Sequence, residues 1–378
     1  MIHRAYKFRF YPTQEQETLL RKTLGCCRVV YNYFLDYRTK EWHQNKNSVG
    51  YNQTSALLTE LKKSPEYEWL NEVSCVPLQQ SLQHLQTGFK NFFQKKSKYP
   101  SFKKRKNKNS CELTKSAFKY KEGKIYIAKS KEPLNIRWSR QIPSYPSTIT
   151  ITQEPSGRWM ISMLCKEEIK TLEPVNKEIG LDLGIDCFFA TSDGDKITNP
   201  KWLRKVQQRL KILNQRLSKK QKGSKNREKA RVKVAKLHQK IVDTRLDYHH
   251  KLSTQLVREN QTIVVEELNV SGMLKNHKLA RAISEVAWSQ FISLLKYKCE
   301  WYGRNLLKVD RFFPSSKTCS SCGSIQRSMP LKVRNWTCPD CGVQHDRDIN
   351  AAKNILTVGL AGFACGAEIR PEANLLKA

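Results

Sequence analysis

Four cysteines stand at paired spacing in two matched runs, Cys319-Ser320-Ser321-Cys322-Gly323 and Cys338-Pro339-Asp340-Cys341-Gly342. Each run is a knuckle that turns two thiolates toward one point, and two knuckles complete a tetrahedral Zn²⁺ site. Every position is a thiolate, so none is left open for substrate. The expected ion is a single structural Zn²⁺ that folds a ribbon too small to hold itself together. A redox Cys-x-x-Cys motif would account for one pair and not for two.

Carboxylates mark three further places. In Ile179-Gly180-Leu181-Asp182-Leu183-Gly184-Ile185 a single acid interrupts an apolar strand, where an ionised carboxylate is costly unless it meets a cation. The flanking glycines allow another backbone or a phosphate to come close. Thr262-Ile263-Val264-Val265-Glu266-Glu267 is a second apolar strand ending in acids, with Glu266 expected inward and Glu267 solvated. A third cluster, His345-Asp346-Arg347-Asp348, opens a helix directly after the second knuckle. Asp346 fits an N-cap, and Asp348, near the small Ala351-Ala352 pair, fits a metal ligand. Asp182, Glu266 and Asp348 together suit two Mg²⁺ ions, which take carboxylate and phosphate oxygens and serve phosphodiester hydrolysis.

Those residues need elements to hold them. A length of 378 residues predicts two or three domains. Residues 2–11 alternate as a strand, and Pro12-Thr13 precedes a helix whose buried face is Leu19, Leu20, Leu24, Val29, Val30, Phe34 and Leu35. Two more helices are expected near 53–63 and 77–94. Residues 116–168 alternate with period two between glycine and proline turns, which predicts a small antiparallel β domain. The first strand is expected to join it, so that the helices form an insertion. Residues 176–192 read as one apolar strand region, followed by an Asp193-Gly194 turn and a second strand. An antiparallel helical hairpin is expected over 201–250, broken at Lys222-Gly223-Ser224, with one apolar stripe turned inward. No tandem repeat is present.

The charge names the partner class. There are 68 Lys and Arg against 34 Asp and Glu, a formal charge of +34, which implies a polyanion. No run of apolar residues is long enough to span a membrane, and the opening residues lack the order of a secretory signal. The eight unpaired cysteines are scattered, with Cys26, Cys27, Cys165 and Cys187 among apolar neighbours, so a reducing cytoplasmic compartment is expected. Residues 90–108 hold nine Lys and Arg and no acid, interleaved with Phe92, Phe93, Tyr99 and Phe102. Lys103, Lys104 and Arg105 are candidate phosphate contacts there. The hairpin 201–250 carries 17 Lys and Arg against three acids, and Lys219, Lys220 and Lys222 at its turn are further candidates.

Taken together the motifs resemble the TnpB family, RNA-guided nucleases of bacterial insertion sequences (transposase-associated OrfB) related to type V CRISPR effectors. The likeness runs through Tyr6-Lys7-Phe8-Arg9-Phe10-Tyr11-Pro12-Thr13, the motif at 180–184, and Val265-Glu266-Glu267-Leu268-Asn269. It continues in Trp301-Tyr302-Gly303, Phe313-Pro314-Ser315-Ser316, both knuckles, the 345–355 block and Ala364-Cys365-Gly366. It implies a multidomain α+β protein. A β-barrel wedge domain (1–12 and 95–172) would carry an inserted helical recognition lobe (13–94). An RNase H-like (RuvC) α/β nuclease domain (173–316 and 343–367, with the hairpin 201–250) would carry the zinc ribbon (317–342), and 368–378 would be a tail.

By position Asp182, Glu266 and Asp348 match the family's catalytic triad. The resemblance further implies a guide RNA from the element's end, double-stranded target DNA, and one protein chain per RNA. It also implies a short target-adjacent motif read by the helical lobe, where Tyr51 and Gln79 match motif-reading positions. Cys75 and Val76 beside them depart from the basic or aromatic types of relatives. The implied activity is Mg²⁺-dependent cleavage of double-stranded DNA. The rival readings are strand transfer by a transposase, which would use a similar triad, and an RNA-guided repressor that binds without cutting.

Overall fold

The computed structural model describes residues 1–105, 109–330 and 332–364; the expected tail at 368–378, Cys365 and Gly366 lie outside them. Contacts divide the chain into two units, Met1–Glu168 with Lys222–Lys236, and Ile169–Gln221 with Leu237–Ala378.

The first unit begins with β1 (Ile2–Tyr11), where Tyr6, Phe8 and Phe10 are buried and their neighbours are exposed. Thr13 then starts α1 (Gln14–Asn45) through a capping box: its Oγ1 accepts from the Gln16 backbone N–H at 3.3 Å, and Gln16 Oε1 accepts from the Thr13 N–H at 3.1 Å. α2 (Tyr51–Leu61) and α3 (Cys75–Phe93) follow. The chain continues into β2 (Asn109–Thr114), β3 (Phe118–Lys121), β4 (Lys124–Ile127), β5 (Asn135–Arg137), β6 (Thr148–Gln153) and β7 (Trp159–Glu167). Five strands form one sheet in the order β2-β6-β7-β1-β5, and β1 runs antiparallel to β7 from Ile2 opposite Glu167 to Phe10 opposite Trp159. The three helices thus interrupt a sheet that begins with the first strand, and helices and sheet share one core. β2 lies before residue 116, where the alternation was expected to begin.

In the second unit the apolar stretch 176–192 is two strands rather than one. β8 (Glu178–Leu183) turns through Gly184 to Asp186 into antiparallel β9 (Cys187–Thr191), and β10 (Lys196–Thr198) completes a meander. Period-two patterning cannot show this turn, because both strands are apolar on both faces. α4 (Trp202–Ser218) and α5 (Lys225–Glu259) form the basic hairpin. The expected stripe of α4 does lie inward: Leu203, Val206, Leu210, Leu213 and Leu217 are half-buried, and apart from Trp202 every other residue of the helix is exposed. Residues 222–236 of the hairpin group with the first unit rather than with the acid-bearing strands. There Ala230 is buried and Arg231 Nη1 donates to the Pro155 carbonyl at 3.2 Å.

Next come β11 (Thr262–Glu266), α6 (Val270–Met273), α7 (Ala280–Val286), α8 (Trp288–Tyr302) and β12 (Asn305–Val309). A hairpin of β13 (Asn335–Thr337) and β14 (Gln344–Asp346) leads to α9 (Arg347–Ala364). The sheet order is β10-β9-β8-β11-β12, with β11 parallel to both β8 and β12. Because side chains alternate along a strand, Leu181, Leu183, Ile263 and Val265 face one core with Phe291 and Leu295 of α8. Val264 faces the other, with Ile355 of α9.

Helix α9 lies close against β8 because Gly180 has no side chain. A Cβ there would stand 2.2 Å from the Ala352 carbonyl oxygen and 2.9 Å from the Leu356 backbone nitrogen. Among the described residues no helix is long and apolar enough to cross a membrane. Gly180→Ala is expected to lower the free energy of unfolding, measured by denaturant titration, by about 1–3 kcal/mol, the scale of overpacking. Gly25→Ala, which meets nothing within 4 Å on α1, is expected to leave it unchanged or raise it.

Candidate functional site

The register of the parallel strands brings two of the acids together. Gly180 pairs with Val264 on neighbouring β8 and β11. Two residues further along each strand, on the same α9-facing side, come Asp182 and Glu266. Asp348 sits in the first turn of α9. Asp182 is half-buried, and its carboxyl is pushed up from 3.8 to about 7 by burial first, then by the charges of Asp348 and Glu266. Burial also raises Glu266. Glu267 is exposed, with Lys308 at 3.7 Å.

Two aspartates at the start of α9 take different roles. Asp346 Oδ1 accepts from the backbone N–H groups of Asp348 and Ile349, both at 3.1 Å, which is a helix cap. Burial would raise its carboxyl, but the Lys196 ammonium and the Ile349 N–H outweigh it and hold it below the usual range. Asp348 is free of that duty and faces two cations instead. Lys196 Nζ donates to Asp348 Oδ2 at 3.1 Å and to Asp346 Oδ2 at 2.7 Å. Arg334 Nη1 donates to Asp348 Oδ1 at 3.3 Å, and its Nη2 reaches Asp186 Oδ2 at 2.8 Å. Lys196, Arg334 and the pairing of Asp186 are not foreseen from the sequence. The only signal would have been a lone lysine on β10 and a lone arginine before β13, each among many cations.

The four cysteines converge as expected. Their sulfurs lie within 4.8 Å of one another, and among the described residues no other group of three or more His, Cys, Asp or Glu ligand atoms is as tightly gathered. The two knuckles have the same backbone bonds. Gly323 N–H donates to Cys319 O and Gly342 N–H to Cys338 O, each at 2.9 Å. Both glycines have positive φ, +77° and +71°, which a side chain would disfavour. Cys319 Sγ also lies 3.1 Å from His345 Nε2. Burial would raise the Cys319 thiol, yet the N–H groups of Cys322 and Ser321 and the His345 ring bring it down to about 6. A closed set of four sulfurs fits a structural Zn²⁺.

The candidate phosphate contacts are on the surface. Lys104, Arg105, Lys219, Lys220 and Lys222 are exposed, as is Gln79, while Tyr51 is half-buried at the start of α2. Lys103 is exposed as well, with its Nζ 4.0 Å from the centre of the Tyr31 ring, and Asn32 binds its backbone N–H and carbonyl at 2.8 and 3.0 Å. Phe92 and Tyr99 pack edge to face at 5.2 Å, and Phe93 and Phe102 remain open to solvent.

Residues 161–277 match the OrfB_IS605 family model, described as "Probable transposase", and residues 288–355 match "Cas12f1-like, TNB domain". Residues 1–47 match a model described as "Helix-turn-helix domain", although here they form β1 and the single helix α1. A Streptomyces pristinaespiralis protein named "Putative RNA-guided DNA endonuclease" is 53% identical over 374 residues, 98% of this chain and 93% of its own length. The chain belongs to the IS605 OrfB, or TnpB, family. A second relative, Escherichia coli (strain K12) "Putative RNA-guided DNA endonuclease InsQ", is 31% identical over 386 residues, 96% of this chain and 94% of that one. Among solved structures, a Cas12f1–sgRNA–target DNA complex has the same fold, with a TM-score of 0.55 at 17% identity over 91% of this chain and 83% of that one.

The raised carboxyl of Asp182 fixes the sign of a pH effect. The unfolded group ionises near 3.8 and the folded one near 7, so the unfolded state binds fewer protons in that window and stability falls as pH rises through it. Asp182→Asn, measured without added Mg²⁺, is expected to unfold at a higher temperature than wild type at pH 8. The difference should close below about pH 4.

Proposed function

We propose that the chain is an RNA-guided DNA endonuclease whose acid-bearing unit is a RuvC-type, RNase H-like nuclease. Asp182, Glu266 and Asp348 would be its metal ligands. The observation that carries this reading is the placing of Asp182 and Glu266 on neighbouring parallel strands near Asp348 of α9, with Asp182 raised by burial first and then by the charges of the other two. The sheet order β10-β9-β8-β11-β12, antiparallel in its first three strands and parallel in the rest, supports the RNase H-like assignment. The names carried by the two long relatives support the activity.

Carboxylates crowded this way are poor neighbours for each other and good ones for a divalent cation. Two Mg²⁺ ions bound there would activate a water and stabilise the leaving oxygen of a phosphodiester. Lys196 and Arg334 each bond one oxygen of the third acid, and Asp346 caps the helix end that presents it. One zinc per chain would sit on Cys319, Cys322, Cys338 and Cys341. The first unit would be the wedge barrel with its recognition lobe, reading a short duplex motif through α2 and α3, including Tyr51 and Gln79. Base pairing to the guide would read the rest. Lys104, Arg105, Lys219, Lys220 and Lys222 would meet phosphates, whereas Lys103 would organise the loop by packing on Tyr31.

The test is to purify the chain from cells carrying its flanking DNA, sequence the RNA that comes with it, and reprogram that RNA's end against a plasmid target. Mg²⁺-dependent cutting should follow the new guide. Asp182→Ala, Glu266→Ala and Asp348→Ala should each abolish cutting while RNA still binds. Asp346→Ala should lose about 1 kcal/mol of helix stability and still cut. Binding without cutting by the wild-type chain would favour the repressor reading, and joined rather than cut products would favour strand transfer.

A further inference from the structure

Helix α9 carries two asparagines whose side chains are almost wholly enclosed, Asn350 at 1% and Asn354 at 6% exposure. They lie four residues apart, hence on one face, and Asn350 stands roughly 200° around the helix from Asp348. All the hydrogen bonds of their side-chain amides go to one short segment, the chain entering the first zinc knuckle. Asn350 Oδ1 accepts from the Ser320 N–H at 2.9 Å, and its Nδ2 donates to the Thr318 carbonyl at 2.7 Å, so that one amide brackets Cys319. Asn354 Nδ2 donates to the carbonyls of Thr318 at 2.6 Å and Ser315 at 2.8 Å. His345, immediately before the cap of the same helix, meets the Cys319 sulfur.

We propose that Asn350 and Asn354 are positioning residues, a clamp that ties the helix bearing Asp348 to the first zinc knuckle and so sets the place of the third catalytic acid. This rests on the nuclease reading above. The physical argument is one of burial. A leucine would fill the same volume, but an enclosed amide is retained where its polar atoms find partners, and here the partners are backbone groups of Ser315, Thr318 and Ser320, in the segment that carries Cys319. Backbone does not swing aside as a side chain does. A knuckle held by Zn²⁺ is thus a fixed frame, and the far face of α9 takes its position from it. Coupling of this kind is reciprocal in free energy: if the metal-bound knuckle favours this place of the helix, the helix favours the metal-bound knuckle, and zinc release reports that hold.

Two readings on the full chain test it, using Asn350→Ala, Asn354→Ala and, as control, Lys353→Ala, whose side chain is exposed on the same helix. The first is the rate at which zinc passes to a chromogenic chelator. The second is the Mg²⁺ concentration for half-maximal plasmid cutting with the co-purified guide RNA. The clamp predicts zinc loss faster by about tenfold. It also predicts a half-maximal Mg²⁺ concentration higher by about 10–100-fold, as for other residues that orient metal ligands, with the rate recovering at saturating Mg²⁺ and RNA binding unchanged. Lys353→Ala should match wild type in both.

Wild-type zinc loss in the asparagine variants would overturn the clamp. So would faster zinc loss with an unaltered Mg²⁺ requirement, which would mean that the amides serve the ribbon alone. If the alanine variants melt below the assay temperature, Asn354→Ser, smaller than asparagine and still a donor, takes both readings. A wild-type chain that cuts at no Mg²⁺ concentration would overturn the nuclease reading instead, and the clamp would then stand or fall on zinc release.

Discussion

Helix α9 can approach β8 only because residue 180 has no side chain. The space a Cβ would occupy is filled by the Ala352 carbonyl and the Leu356 backbone. Neither can move without moving the helix. On the next turn Gly359 plays the same part toward Val264 of β11, where a Cβ would stand 2.3 Å from Cγ1. Small Ala351 and Ala352 complete the contact. The first turn of the helix is thereby held beside the strand ends that carry Asp182 and Glu266, and the chemistry of the unit depends on that short distance.

Closeness has an electrostatic consequence. Asp182 is pushed up to about 7, by burial first and then by the charges of Asp348 and Glu266. The structure balances the rest with Lys196 and Arg334, which grip Asp348 from two sides. These cations come from different parts of the chain, one from β10 and the other from the segment just before β13. The charge balance of the site is therefore a property of the folded unit and of no single motif.

The knuckles add rigidity where a core cannot. Residues 317–346 contain little regular structure beyond a three-residue hairpin and one isolated bridge, and their apolar burial is slight. Four sulfurs within 4.8 Å take the place of a core. Through Asn350, Asn354 and His345 that small body is bonded to α9, so the ribbon is joined to the helix by more than chain connectivity.

Much of this was legible in the order of residues. Paired Cys-x-x-Cys-Gly knuckles, a lone acid in an apolar strand, and an acid at the start of a helix are local patterns whose chemistry follows from residue type and spacing. The cap role of Asp346 was also readable, since a cap precedes the first turn of its helix. Other features depended on contacts between distant segments. Residues 176–192 hide a turn because both strands around it are buried on both faces. The stripe of α4 was readable from its spacing and is half-buried, but a periodic stripe says what could be covered and not what covers it. Lys103 was one cation among many until Tyr31 was seen beneath it. Asp186 and Arg334 are 148 positions apart, and only tertiary structure decides which of 68 basic residues meets which acid, because long-range pairing leaves no mark on local sequence.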